Sequence, residues 1–322
     1  MRFNWLNIFL IVIIFNGCER KVNPVQPNDG VPPAVPTQLT VYYSQDGAVG
    51  LEWKPNSEPD LNGYNIYRKT NNGSFSFLAF TKNFYYADDS LSYNDTYYYK
   101  ISAIDDGGLE SQFSTEASAR PVNKNPPKKP TGILINARNW EGKISVHLEW
   151  NKNQESDVAE YKVYRDTVQN FTVDSTKIVG HSSNIKFSDT TNVKLYKDYY
   201  YRIKAIDKGG LQSPHSDEVS DQVYGMPVLI FPANGSYHKY FSDFKIKTIS
   251  KPASYQVIVQ DNQFFGDFWS KKFTSSVISD TISVSFDPVY LSNATYYWRV
   301  VTYSGNNDSP NSISEQYHFT IN

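Results

Sequence analysis

The chain has 322 residues with 31 basic and 33 acidic side chains, a formal charge of −2, so no net field calls for nucleic acid or a strongly charged substrate. Its length suits two or three domains. Aromatics reach 16%, led by 25 Tyr, and the one cysteine, Cys18, excludes an internal disulfide and a cysteine-based zinc site. Tyrosine joins apolar area to a polar tip and suits half-buried pleated surfaces, so the composition leans towards β-structure.

At the N-terminus, Arg2 and the amino group supply positive charge, residues 8–15 are an unbroken apolar run, and Gly17 precedes Cys18. Residues 1–17 therefore read as a secretion signal, too short for an ordinary membrane span. The end, "FNGC", resembles a bacterial lipobox, which implies lipidation at Cys18. Phe15 stands where that motif usually has leucine, and the alternative is a plain signal with an incidental cysteine. Residues 18–35 hold Pro24, Pro27, Pro32 and Pro33. Such a segment extends as polyproline II, about 3.1 Å per residue or roughly 50 Å in all. It is expected to tether a folded body to a membrane, with the outer membrane as the address and either face open.

Two stretches are then written twice. "VGLEWKPNSEPDLNGYNIYRK" (49–69) matches "VHLEWNKNQESDVAEYKVYRD" (146–166), pairing Trp53 with Trp150 at an offset of 97 residues. "TYYYKISAIDDGGLES" (96–111) matches "DYYYRIKAIDKGGLQS" (198–213) at an offset of 102. The five extra residues fit an insertion between strands. Tyr97, Tyr99, Ile101 and Ala103 alternate with Tyr98, Lys100 and Ser102, the period of a strand with one buried face. The Asp-Asp-Gly-Gly and Asp-Lys-Gly-Gly that follow are turn formers. Short strands with regular turn signals predict antiparallel β-sandwiches.

The order Leu-x-Trp…Asp-x-x-x-Tyr-x-x-Tyr-Arg…Tyr-x-Tyr-x-Ile-x-Ala-x-Asp-x-x-Gly resembles the fibronectin type III domain, twice over, at residues 36–122 and 130–223. The resemblance implies an all-β chain of tandem immunoglobulin-like sandwiches. It makes Trp53 and Trp150 core plugs, and Tyr97 and Tyr199 the tyrosine corners whose hydroxyls tie back to nearby backbone. A third unit, 224–322, repeats the tyrosine strand in "NATYYWRVVTYSG", with Tyr296 and Trp298 facing inward. No Leu-x-Trp precedes Tyr255 there, so Phe244 or Ile246 must fill the plug position.

Catalysis finds little support. The five histidines are scattered, and no His-Glu-x-x-His, Gly-x-Ser-x-Gly or phosphate-cradling loop occurs. Asp105, Asp106 and Asp207 fall where aspartates bond turn backbone. "EPDLNG" (58–63) opens like a calcium loop, but its twelfth position is Lys69 rather than a bidentate glutamate. No cofactor or metal is called for. Exposed aromatics are the one hint of a ligand: Trp140 near a turn, and Phe265, Phe268 and Trp269 in "FFGDFWSKK", read as a loop. Such rings stack on sugars, anchor a protein, or cap the end of a sandwich. The expected function is a non-catalytic, membrane-anchored spacer or interaction module with an unidentified protein or polysaccharide partner; the alternative is a surface glycan-binding lipoprotein of a carbohydrate-uptake system.

Overall fold

The computed structural model describes residues 30–264, 266–286, 291–305 and 308–322; the signal segment, Cys18, residues 19–29 of the tether and Phe265 lie outside the described residues. By backbone contacts the chain divides into two compact units. One holds Met1–Val41, Leu51–Tyr86 and Tyr97–Ser118; the other holds Tyr42–Gly50, Ala87–Thr96 and Ala119–Asn322.

The first repeat supplies β1 (Thr37–Gln45), β2 (Ala48–Lys54), β3 (Leu61–Thr70), β4 (Ser76–Thr81), β5 (Tyr85–Asp88), β6 (Tyr97–Asp105) and β7 (Ala117–Ala119). They form sheets in the orders β1-β2-β5 and β4-β3-β6-β7. The second repeat supplies β8 (Leu134–Trp140), β9 (Lys143–Glu149), β10 (Val158–Asp166), β11 (Ile178–Ser182), β12 (Lys186–Asp189), β13 (Asp198–Asp207) and β14 (Val219–Gln222). The order recurs as β8-β9-β12 against β11-β10-β13-β14.

The third repeat comprises β15 (Val228–Phe231), β16 (Ser236–His238), β17 (Asp243–Lys247), β18 (Ala253–Gln260), β19 (Asp267–Ser275), β20 (Thr281–Ser285), β21 (Thr295–Tyr303), β22 (Ser312–Ile313) and β23 (Tyr317–Ile321). Here β15-β17-β20 faces the order β19-β18-β21, where β22 and β23 in turn take the place of a single edge strand and β16 is added beside β23. The missing Leu-x-Trp therefore changes the plug and leaves the two facing sheets in place. "FFGDFWSKK" is not a loop: from Asp267 on it is strand β19, paired along β18.

Burial explains the recurring residues. Trp53 and Trp150 are 4% and 2% exposed and each meets a tyrosine edge-on, Tyr64 at 5.2 Å and Tyr161 at 5.1 Å between centroids. In the third repeat Phe244, fully buried, takes the plug position against Trp298 at 4.8 Å. Tyr97, Tyr99, Ile101 and Ala103 face inward as the alternation predicts, and Tyr98 lies outside under the Lys69 ammonium. Ser102 also points outward but is covered, because its hydroxyl donates to Glu110.

Two of the tyrosine corners close as expected. The Tyr199 hydroxyl accepts from Lys194 N at 3.0 Å and donates to Asn192 O at 3.2 Å; Tyr296 does the same with Ser292 at 3.0 and 3.3 Å. A further device stands in for a missing ladder partner. Ser114, Ser216 and Ser314 each accept from a strand amide at 3.0–3.1 Å, those of Ile101, Ile203 and Val300. Each then donates to the next carbonyl at 2.8 Å, so a hydroxyl satisfies buried backbone where pairing lapses.

Candidate functional site

The aromatics singled out in the sequence do not form one cluster. Trp269 on β19 turns inward, stacked on Phe244 at 5.9 Å and edge-on to Phe286 at 4.9 Å, so it closes the gap between β19 and β20. Phe268 is 37% exposed and leans on Tyr296 at 5.4 Å. Adjacent strand residues should face opposite ways, but the pairing slips between Val259↔Trp269 and Gln260↔Asp267, and this bulge re-aims Phe268. Trp140 ends β8, where the Arg138 guanidinium covers its ring at 4.5 Å and its indole N–H donates to Pro310 O at 3.3 Å.

That last bond belongs to a joint inside the larger unit. Strand β8 pairs in parallel with β22, Asn139 with Ser312 and Trp140 with Ile313, so one nine-stranded sheet runs through the second and third repeats. Asn311, fully buried, accepts from Tyr224 N at 2.8 Å and donates to Gln222 O at 2.9 Å. Its backbone carbonyl accepts from Asn139 N at 2.8 Å, and Asn139 Nδ2 donates to Tyr224 O at 2.9 Å. The Tyr196 hydroxyl accepts from Ser250 N at 3.3 Å. An apolar cleft of about 420 Å³ lies beside this joint, between Ile144, Leu195, Met226, Pro227, Leu229 and Tyr317.

A second joint in the same unit uses the same trick. Tyr93, in the turn before β6, donates its hydroxyl to Asp157, which precedes β10, and Lys208 Nζ donates to Ser90 O at 2.6 Å. Asp46 accepts from the amides of Lys124 and Asn125, both at 2.8 Å. Burial raises the Asp157 pKa; the Tyr93 bond opposes this, and the nearby charges of Asp207 and Asp46 add to it. In both joints a tyrosine from the turn before the sixth strand of one repeat meets a residue just ahead of a strand of the next, Asp157 before β10 and Ser250 before β18.

The outer face of β4-β3-β6, in the smaller unit, carries aromatics that sequence reasoning missed. Pairing shifts between Ile66↔Ala79 and Tyr67↔Phe77, leaving Leu78 as the extra residue. Phe77 and Phe80 consequently share the face of Tyr67 and Asn65. Phe77 and Phe113 both meet Tyr67 edge-on, at 5.9 and 4.8 Å, and are 58% and 49% exposed. Phe75 lies between the Lys69 and Lys100 ammoniums at 4.9 and 4.8 Å. The Tyr67 hydroxyl donates to Glu110 at 2.8 Å, which fixes the central ring. On the matching face of the second repeat Tyr164 keeps the place of Tyr67, among Glu160, Lys162, Arg202 and Lys204. Comparing the repeats position by position, Phe113 against His215 for example, would have exposed the difference.

Titratable groups are spent on structure. The side chains of Asp105 and Asp207 accept from the amides of Leu109 and Leu211, at 2.8 and 2.9 Å, and the turn glycines Gly108 and Gly210 take φ of +83° and +92°, conformations an L side chain resists. Glu58 and Glu155 accept from the amides of the incoming segments, Ala34 at 2.7 Å and Lys128 at 3.0 Å. His147 sits in a groove of mixed lining, about 610 Å³, with both ring nitrogens on hydroxyls, Ser145 at 2.9 Å and Ser188 at 2.8 Å. Burial, then the Arg138 charge, lowers its pKa. Among the described residues no group of three His, Cys, Asp or Glu is placed to hold a metal ion.

No family model matches the chain, and no curated protein does. Among solved structures it is similar to the FN1-FN3 domains of chicken CNTN1, at 14% identity over 90% of this chain and 99% of that one, with a TM-score of 0.34. It is also similar to a Fn3-like protein from Clostridium thermocellum, at 28% identity over 30% of this chain and 97% of that one, with a TM-score of 0.24. By its own strand orders the chain is all-β, a tandem of immunoglobulin-like β-sandwiches.

Proposed function

We propose that this chain is a non-catalytic spacer or interaction module of three sandwiches, bounded near residues 36–122, 130–223 and 224–322, lipid-anchored at Cys18 in the cell envelope. One observation carries the reading: the polar side chains between successive repeats are committed to holding one sandwich on the next. Asn139, Asn311 and Tyr93 bond neighbouring repeats, and Asp105 and Asp207 bond their own turns. Glycan capture through Phe268, Trp269, Phe265 and Trp140 draws on the exposed edge of Phe268; the Trp269 ring is taken up by Phe244 and Phe286.

The anchoring is tested by detergent phase partition of the wild type and Cys18→Ser. One acyl chain holds weakly and stable anchoring takes more than one, so wild type should enter the detergent phase and the variant should stay aqueous or uncleaved. Equal partition of the two would remove the anchor from the reading.

A further inference from the structure

We infer that the first repeat pairs with a second copy of this chain through strand β4 and the aromatic face beside it. Strand β4 is the outermost of its sheet and pairs only with β3 among the described residues. Edge strands normally carry lysine, proline or other charge that discourages pairing with a foreign chain. Ser76–Thr81, "SFLAFT", has none of these.

The fold does not require this. The matching edge β11 of the second repeat sets Ile178 and His181 where β4 has Phe77 and Phe80, and the face beside it carries Glu160, Lys162 and Arg202 around Tyr164. Phe80 lies over Gly63 and Phe77 leans on Tyr67, yet the two rings stay 43% and 58% exposed. Exposed apolar area of this kind marks an interaction surface.

The occupant follows from the sequence of β4 itself, which reads nearly alike in both directions. Antiparallel pairing about its centre sets Ser76 opposite Thr81 and Phe77 opposite Phe80 of the second copy. The bulge at Leu78 makes this productive, because it brings both phenylalanines to one face, where directly opposed rings of two strands meet. A two-fold contact forms each such pair twice, and it closes, so it yields a dimer rather than a fibre.

Sedimentation equilibrium of the full chain in density-matched detergent, up to about 100 μM, reads this directly. Wild type should dimerise. Phe77→Lys with Phe80→Lys should weaken the dimer at least tenfold, at the scale of interface aromatics, with an unchanged circular dichroism spectrum. Should the double variant unfold, Phe77→Lys alone carries the same comparison. A wild type that stays monomeric throughout, or a folded variant that dimerises as tightly, overturns the inference. So does a monomeric wild type that binds a polysaccharide through these rings.

Discussion

Replacing Asn311 by alanine should loosen the joint between the second and third repeats. The side chain is fully buried and serves two backbone groups at the junction of the repeats, Tyr224 N–H at 2.8 Å and Gln222 C=O at 2.9 Å. Truncation leaves both without a partner, and a buried polar group so orphaned costs about 1–3 kcal/mol. Two such groups give about 2–6 kcal/mol, towards the lower end if water enters the space left by the amide. The backbone bond from Asn139 N to Asn311 O survives the substitution, so the strand pairing should loosen rather than vanish. Urea unfolding of the full chain gives the free energy, and hydrogen exchange gives the location: the Tyr224 amide should lose protection while Ile203 and Val257, deep in the two cores, keep theirs. A loss below about 0.5 kcal/mol with the Tyr224 amide still protected would refute the reasoning, since that is the size of an ordinary surface change.

Trp53→Ala and Trp150→Ala should each cost about 3–5 kcal/mol, the usual loss for a buried ring, against well under 1 kcal/mol for the outward Tyr98→Ala; thermal melts settle the order, and Tyr98 as the larger would mean the strand faces are reversed. Trp269→Ala should destabilise the third sandwich by about 2 kcal/mol with no ligand present, because Phe244 and Phe286 lose their cover; an unchanged melt would return Trp269 to the list of free ligand-binding rings. Asp157 has a raised pKa in the folded chain, so its contribution favours folding as pH falls from above that pKa towards the ordinary carboxylate value and is lost as pH rises through it. Asp157→Asn, which keeps an acceptor for Tyr93, should therefore gain stability relative to wild type at neutral pH, and the gain should shrink on acidification; a gap that does not change with pH in paired urea titrations would count against the buried carboxylate.

The sandwich class, the plugs and the corners were legible in the sequence because each depends on short-range order. Strand period two sets which of Tyr97, Tyr98 and Tyr99 is buried, and a Trp or Tyr at a fixed distance from a glycine turn has one place to go. What escaped was set by single-residue slips and by distant pairs. A bulge shifts the face of every residue beyond it, and nothing local marks the ones at Leu78 and Phe268. The one at Phe268 aims that ring at the core rim, and the one at Leu78 brings Phe77 and Phe80 to one surface. Asn139 and Asn311 are 172 positions apart, and neither sits in a recognisable motif. They meet because two sheet edges happen to align, and once aligned the buried backbone of Gln222 and Tyr224 needs partners that only a carboxamide with one donor and one acceptor end can supply together.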